Sequence, residues 1–394
     1  MPDAGRSERL VWLLVVTTIS IFLTCLHLTT THPFELVTFE RLVNFNAVEP
    51  FQHRVLLPAI VAGIQHFLPL GEKLLFGMLE VFGWIALIVL SHRALVMFNI
   101  GRDDLMRRVL AITVVIPMAM HLIAPDLQLA SAFVAEDQRL DLGTWHPVPL
   151  FYYVYDLPAA VFTLGMGLLL IGHVQAPRRG LMLAYLLVFA LATVNRETTV
   201  FMLGFFALLF AGRMPWSRLA LLLGIQLLIF VTIQWPLNWL FADQVNPNAQ
   251  LAGTQYENHL WENLGLLTSP LYLIIFVARF AAGLHLPVLM WHRWLDVRLV
   301  AALIGFSLPL IGFALLAGRV QEQRIFIETV PLIWLAALQV IAARSEAGDR
   351  RPNAATATAP LGTRQTLVPE AEPATMSSRR KPTGAEGACN RQPD

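Results

Sequence analysis

Charge is what this chain has least of. Asp, Glu, Lys and Arg make up 14% of its 394 residues, against about 25% in a soluble domain, whose surface must face water. Apolar residues reach 56%. A deficit of that size over such a length excludes a soluble enzyme, a DNA-binding protein and a disulfide scaffold, and it leaves lipid as the solvent. Cysteine is nearly absent. Of the two present, Cys25 falls in the first apolar run and Cys389 near the C-terminus, so neither a disulfide between them nor a metal-ligand spacing is expected. A net charge of +1 gives no pull toward nucleic acid.

What charge there is falls unevenly. Residues 344–394 hold 14 of the 55 charged side chains, six prolines and no aromatic residue. Such a composition has no apolar face to offset ordering entropy, so 344–394 is expected to be a disordered cytoplasmic tail, its Arg379-Arg380-Lys381 group included. Residues 1–343 read as the transmembrane domain. A crossing helix needs about 20 mostly apolar residues. Ten clear runs qualify: 10–28, 74–92, 106–124, 150–174, 180–195, 198–212, 219–235, 270–290, 299–317 and 325–343. An eleventh candidate, 55–70, is shorter, carries Gln65 and His66, and is closed by Pro58 and Pro69. With no alternating barrel pattern and no water to satisfy open strand edges, the expected fold is an all-α polytopic bundle of about 10–11 spans. The first run follows Arg6 and Arg9, but it is long and lacks an Ala-x-Ala cleavage site, so it reads as a retained signal anchor.

Basic residues set the orientation. Arg93, Arg102, Arg107 and Arg108 cluster, as do Arg178 with Arg179, Arg213 with Arg218, and Arg293 with Arg298, while Arg344, Arg350 and Arg351 open the tail. Working back from a cytoplasmic tail, all of these clusters fall inside, which puts loops 29–53, 125–149 and 236–268 on the extracytoplasmic side. With Arg6 and Arg9 also inside, 55–70 has to be a partly inserted segment. The competing topology has the N-terminus outside and the first loop inside.

A charged group at a helix centre costs about 2.5–3.5 kcal/mol on insertion scales and so marks function by default. Such groups gather toward the expected outer side. Glu49 and Arg54 flank Pro50-Phe51-Gln52-His53, Glu80 sits within its span, and Asp156 follows the aromatic run 151–155. Arg196 and Glu197 form a tight turn between two spans, and Glu322, Arg324 and Glu328 open the last one. Arg279 lies mid-span, and His259 belongs to a segment, 255–261, suited to stacking on a sugar. Each has a bland reading as well. Arg196 and Glu197 cap two helices in the headgroup region. Arg324 and Glu328, one turn apart, form an intrahelical pair. Arg279 neutralises Glu80 or Asp156, and His53, His259 and His285 are interfacial. A one-sided cavity with both arginines and acids nonetheless fits an anionic substrate. Guanidinium is a permanent forked donor for phosphate, and a carboxylate is a general base or a metal ligand.

Four segments, Glu49-Pro50-Phe51-Gln52-His53-Arg54-Val55-Leu56-Leu57-Pro58, Tyr155-Asp156-Leu157-Pro158, Asn195-Arg196-Glu197-Thr198 and Glu322-Gln323-Arg324-Ile325-Phe326-Ile327-Glu328, are spread over 49–328. Together they resemble bacterial polytopic proteins related to the GT-C glycosyltransferases, which use polyprenyl-phosphate sugars as donors. The resemblance implies a GT-C-like bundle with a catalytic carboxylate in the loop after the first helix, where Glu35, Glu40 and Glu49 are available. That loop has no aspartate and no Asp-Asp or Asp-Glu pair, a departure from the family's pattern. The enzyme so implied moves a sugar to an acceptor at the extracytoplasmic face. Glu49, Asp156 or Glu197 would deprotonate the acceptor, and Arg54, Arg196 and Arg324 would hold the donor phosphate. Glu80, Tyr155, His259, Arg279, Glu322 and Glu328 would complete the cavity. A divalent cation bridging phosphate and carboxylate is compatible with this set, although no ligand spacing requires it. The alternative is a transporter or flippase for an anionic lipid or solute, with Glu80, Asp156 and Arg279 lining the route. The expected partners are the lipid bilayer and a polyprenyl-phosphate-linked sugar.

Overall fold

Hydrocarbon offers no hydrogen bonds, so each apolar run has to satisfy its own backbone, and a helix does so within one segment. The computed structural model of this chain describes residues 4–48, 51–124, 126–129, 145–148, 151–242, 259–318, 320 and 322–349. In chain order these form α1 (Ala4–Thr30), α2 (Phe39–Val43), a 3-10 turn (Phe51–His53), α3 (Leu56–Phe67), α4 (Glu72–Met97), α5 (Asp104–Ile112) and α6 (Val115–Leu122). Two four-residue strands follow, β1 (Asp126–Leu129) and β2 (Trp145–Val148), paired antiparallel. Next come α7 (Asp156–Gln175), α8 (Arg179–Asn195), a 3-10 turn (Glu197–Phe201), α9 (Met202–Phe210) and α10 (Trp216–Leu240). The remainder is α11 (Leu260–Thr268), α12 (Pro270–Arg279), α13 (His285–Met290), α14 (Val297–Ala302), a π turn (Leu303–Ser307), α15 (Leu308–Ala317), a 3-10 turn (Gln323–Thr329) and α16 (Val330–Asp349).

Among the described residues, seven helical stretches are long and apolar enough to cross a membrane: Ser7–Thr30, Glu72–Met97, Asp104–Leu122, Asp156–Gln175, Trp216–Leu240, Val297–Ala317 and Gln323–Ala347. Leu260–Thr268 and Pro270–Gly283, bent by 101° where they join, make an eighth if taken as one broken span. The chain is therefore a multi-pass, all-helical membrane protein apart from its two short strands. The larger number expected from sequence includes α8 and the Glu197–Phe210 stretch, which are apolar but shorter. At 1.5 Å per residue, 17 residues of α8 reach only about 26 Å, against a hydrocarbon core of about 30 Å.

Burial ranks these helices. The apolar stretch of the last span is 72% buried and that of α7 61%, against 17% for α10. The last span and α7 therefore form the centre, and α10 presents Leu228, Trp235 and Trp239 to lipid. The interhelical turns sort to two ends. At one, Arg108 covers Trp12, Arg298 covers Phe98 and Arg344 covers Trp291. At the other, the Tyr152 N–H donates to the His32 carbonyl at 2.9 Å, and Thr31, His32, Lys73 and Tyr152 line one cavity. The chain thus leaves α1 and begins α4 at the same end. The intervening α3, about 18 Å long, does not cross.

Several sequence-based boundaries move. The run 150–174 is not helical throughout: 151–155 is a bridge residue, extended chain and a turn, and α7 begins at Asp156. The loop expected over 236–268 is helical at both margins, because α10 continues past Pro236 to Leu240 and α11 starts at Leu260. The final helix runs to Asp349 rather than stopping at 343. Most of 125–149, together with 243–258 and the tail 350–394, lies outside the described residues.

One contact fixes how closely the bundle packs near its centre. Gly204 of α9 and Gly305 of the π turn meet backbone to backbone, and a Cβ built on Gly305 would lie 2.6 Å from the Gly204 carbonyl. Small residues permit that approach between membrane helices. Gly305→Val should lower thermal stability by about 1–3 kcal/mol through overpacking. Gly224→Ala, with nothing within 4 Å of the added Cβ, should leave it unchanged or raised. Thermal unfolding of the detergent-solubilised protein separates the two outcomes.

Candidate functional site

Aromatic rings come first, because they build the wall on which the charges rest. The segment 151–155 runs without helix beside His32 and delivers Tyr153 and Tyr155 to the 3-10 turn at Phe51–His53. Phe51 stacks on Tyr153 at 5.3 Å and on Tyr155 at 6.3 Å between ring centroids. The Arg54 guanidinium lies 4.3 Å from the Tyr155 ring centre, and that of Arg324 lies 3.5 Å from the centre of Tyr153. Planar guanidinium stacks well on such faces. The phenols stay neutral. Burial raises the Tyr153 hydroxyl to about 12, against the opposing charge of Arg324, and burial raises the Tyr155 hydroxyl well above the ordinary phenol value.

Asp156 is the first residue of α7 and is 1% exposed. Its Oδ1 lies 3.2 Å from Nη1 of Arg196 and its Oδ2 lies 3.5 Å from Nη1 of Arg324. Arg196 ends α8 in an extended conformation, φ −161° and ψ 136°, so it and Glu197 reach different partners. Nε of Arg196 lies 3.2 Å from Oε1 of Glu328, which also accepts from the Thr198 hydroxyl at 2.6 Å. Glu197 takes Arg54 through Nη2 at 2.9 Å and Nε at 3.4 Å. Arg324 completes the chain of charges by donating to Glu322 at 2.7 Å.

Three guanidiniums and four carboxylates therefore form one network drawn from residue 54, the α7 start, the α8 end and the approach to α16. Arg54, Arg196 and Arg324 are each buried, as are Asp156 and Glu328. Glu197 and Glu322 differ, with side chains 36% and 46% exposed. Burial alone would lower the Arg54 pKa, but the surrounding acidic groups, Glu197 foremost, together outweigh this and hold it above the ordinary value. Polar atoms beside the network have no hydrogen-bond partner among the described residues: the Tyr155 hydroxyl, both amide atoms of Gln52, Oδ1 of Asn195 and Oε1 of Gln323.

The structure thus gathers Arg54, Tyr155, Asp156, Arg196, Glu197, Glu322, Arg324 and Glu328. It corrects the bland readings of several. Arg196 and Glu197 do more than cap helices, since each makes an ion pair with another element. Arg324 and Glu328 do not pair with each other. Residues 323–329 wind as 3-10, and at three residues per turn positions four apart diverge.

Glu80 occupies a separate nest. It accepts from Tyr152 at 2.6 Å and Trp84 at 3.1 Å, and its Oε1 lies 2.8 Å from His27 Nδ1. His27 was missed, although a histidine in an apolar span satisfies the same criterion that singled out Glu80. Arg279 neutralises neither Glu80 nor Asp156. It donates to the carbonyls of Met120 and Ala124 where α6 ends, at 3.4 and 3.1 Å. His259 pairs with Glu262 at 2.9 Å, and its N–H bonds the Leu316 carbonyl of α15. Glu49 lies outside the described residues. The described residues hold no group of three or more His, Cys, Asp or Glu able to bind a metal ion, and the network's carboxylates are engaged by arginines. No family model and no curated protein matches the chain.

Removing one member of a buried ion pair leaves its partner uncompensated and costs about 3–5 kcal/mol. Arg196→Ala leaves Glu328 without a cation and Asp156 with only the 3.5 Å contact to Arg324, so it should lower the Tm sharply or abolish recovery of a monodisperse protein. Glu322→Gln, at a half-exposed position, should stay within about 0.5 kcal/mol of the parent. Thermal unfolding in detergent compares the two directly.

Proposed function

We propose that the chain is an integral-membrane glycosyltransferase of GT-C-like type, moving a sugar from a polyprenyl-phosphate donor to an acceptor hydroxyl. One observation carries this reading. Arg54 and Arg324 stack on a single aromatic wall, and their accessible partners, Glu197 and Glu322, are half-exposed carboxylates. Those carboxylates occupy the places that an anionic group would take. A donor phosphate entering between the two arginines exchanges with them and gains forked, charge-assisted hydrogen bonds. The inner chain Asp156–Arg196–Glu328 stays closed and holds the arginines in place.

The released Glu197 carboxylate is then the base. It takes the acceptor proton as the acceptor oxygen attacks the anomeric carbon. The bond from that carbon to the phosphate oxygen breaks, and the lipid phosphate leaves with the electron pair. Arg54 and Arg324 stabilise the charge that builds on the leaving phosphate. The phenol rings offer a stacking face for the sugar. The arginine-rich end faces the cytoplasm by the positive-inside rule, which directs the site to the opposite face of a bacterial inner membrane.

The test is turnover by the purified full-length protein supplied with polyprenyl-phosphate hexoses and read as released polyprenyl phosphate. Glu197→Gln should lower kcat by about 100-fold or more, as expected for loss of a general base. Arg54→Gln should weaken donor use while leaving the protein folded. Turnover that persists at parental rates in Glu49→Gln, Asp156→Asn and Glu197→Gln would refute the chemistry. Accumulation of donor across the vesicle membrane without lipid-phosphate release would instead identify a transporter.

A further inference from the structure

The opposite end of the bundle carries a second electrostatic feature, independent of the reading above. A cavity of about 240 Å³ lies where α7, α8, α9 and α10 converge, lined among others by His173, Arg179, Phe210, Arg213, Met214 and Arg218. Orientation by positive charge requires arginines at this end but does not require them to enclose a cavity. Here three exposed arginines border one, together with the apolar Val174, Phe210 and Met214. His173 and Phe210 meet edge to face at 6.0 Å, and the His173 Nδ1–H donates to the Arg178 carbonyl at 3.0 Å.

The arginines of this cavity lack direct carboxylate partners among the described residues. Arg179, Arg213 and Arg218 form no ion pair with a described residue. Asp296, near enough to Arg213 to feel its charge, is already held by Arg298 through Nε and Nη2, both at 2.8 Å. Two helices also start here. Arg179 is the first residue of α8 and Arg218 lies in the first turn of α10. Neither helix has an acid in its first turn or a side chain capping its N–H groups. A helix N-terminus carries about half a positive charge and favours anions, so arginine there has the unfavourable sign. Three guanidiniums and two uncapped N-termini leave this cavity in need of an anion.

We infer that this cavity binds a phosphate group. Forked guanidinium donors match phosphate oxygens, and basic pockets between membrane helices are suited to lipid headgroups. The surroundings favour a phosphate carried by a lipid: Trp216 and Leu183, 74% and 60% exposed, stand on the two helices that begin at the cavity and offer apolar surface to an acyl chain.

The full-length protein in neutral detergent, titrated separately with phosphatidylglycerol and with inorganic phosphate, tests the assignment through the rise in Tm. The double variant Arg213→Gln/Arg218→Gln should bind at least about tenfold more weakly. Arg102→Gln, an exposed arginine of the same end that does not line the cavity, should bind as the parent does. A variant-sensitive response to phosphatidylglycerol alone supports a lipid headgroup, and an equal response to inorganic phosphate supports a soluble phosphate. No response to either ligand, or equal weakening in Arg102→Gln, overturns the site. Glycosyl transfer is not part of the readout, so its absence leaves the outcome unaffected.

Discussion

Asp156 stands between two guanidiniums, one arriving from the end of α8 and one from the turn that leads into α16. Charges taken from water cost several kcal/mol each and persist only where other charges answer them. With Asp156 in place, Arg196 and Arg324 have a fixed point, Glu328, held by the Thr198 hydroxyl, closes on Arg196, and three chain segments far apart in sequence are tied together. Two of those segments lead directly into the most buried helices of the bundle, α7 and α16. The same pairing that makes the charges tolerable therefore sets the register of the central helices.

The network divides into an inner part and an outer part. Asp156, Arg196 and Glu328 are sealed from solvent and act on one another. Glu197 and Glu322 sit at the margin, where exchange with another anion costs less because they are already partly hydrated. The aromatic wall keeps Arg54 and Arg324 flat and oriented whichever anion they face. The orientation of the two guanidiniums therefore rests on the rings as well as on the carboxylates.

The network and the cavity at the opposite end handle positive charge differently. In the network Arg54, Arg196 and Arg324 each have a carboxylate partner. At the other end Arg179, Arg213 and Arg218 border a cavity without such partners, beside two helix N-termini that add to the same sign. Arginines left unpaired near headgroups retain an attraction for anionic lipid that paired ones have lost.

Scarcity of charge and long apolar runs determined the membrane environment, the all-helical class and most helix positions, because lipid forces each run to satisfy its backbone locally. The same scarcity made the exceptions stand out, so Arg54, Asp156, Arg196, Glu197, Glu322, Arg324 and Glu328 were legible one by one. Their partners were not. Pairing depends on which helix ends meet: Glu197 with Arg54 spans 143 residues, and Glu328 with Thr198 spans 130. Hydropathy also merged the extended run 151–155 with α7, since tyrosines and phenylalanines read as apolar whether they face lipid or line a site. Only the tertiary structure placed Arg279 on the carbonyls closing α6, set Glu80 apart with His27, and turned residues 323–329 into a 3-10 segment that sends Arg324 and Glu328 to different partners. Composition fixes the solvent a chain must satisfy; which buried charges answer one another is fixed by packing.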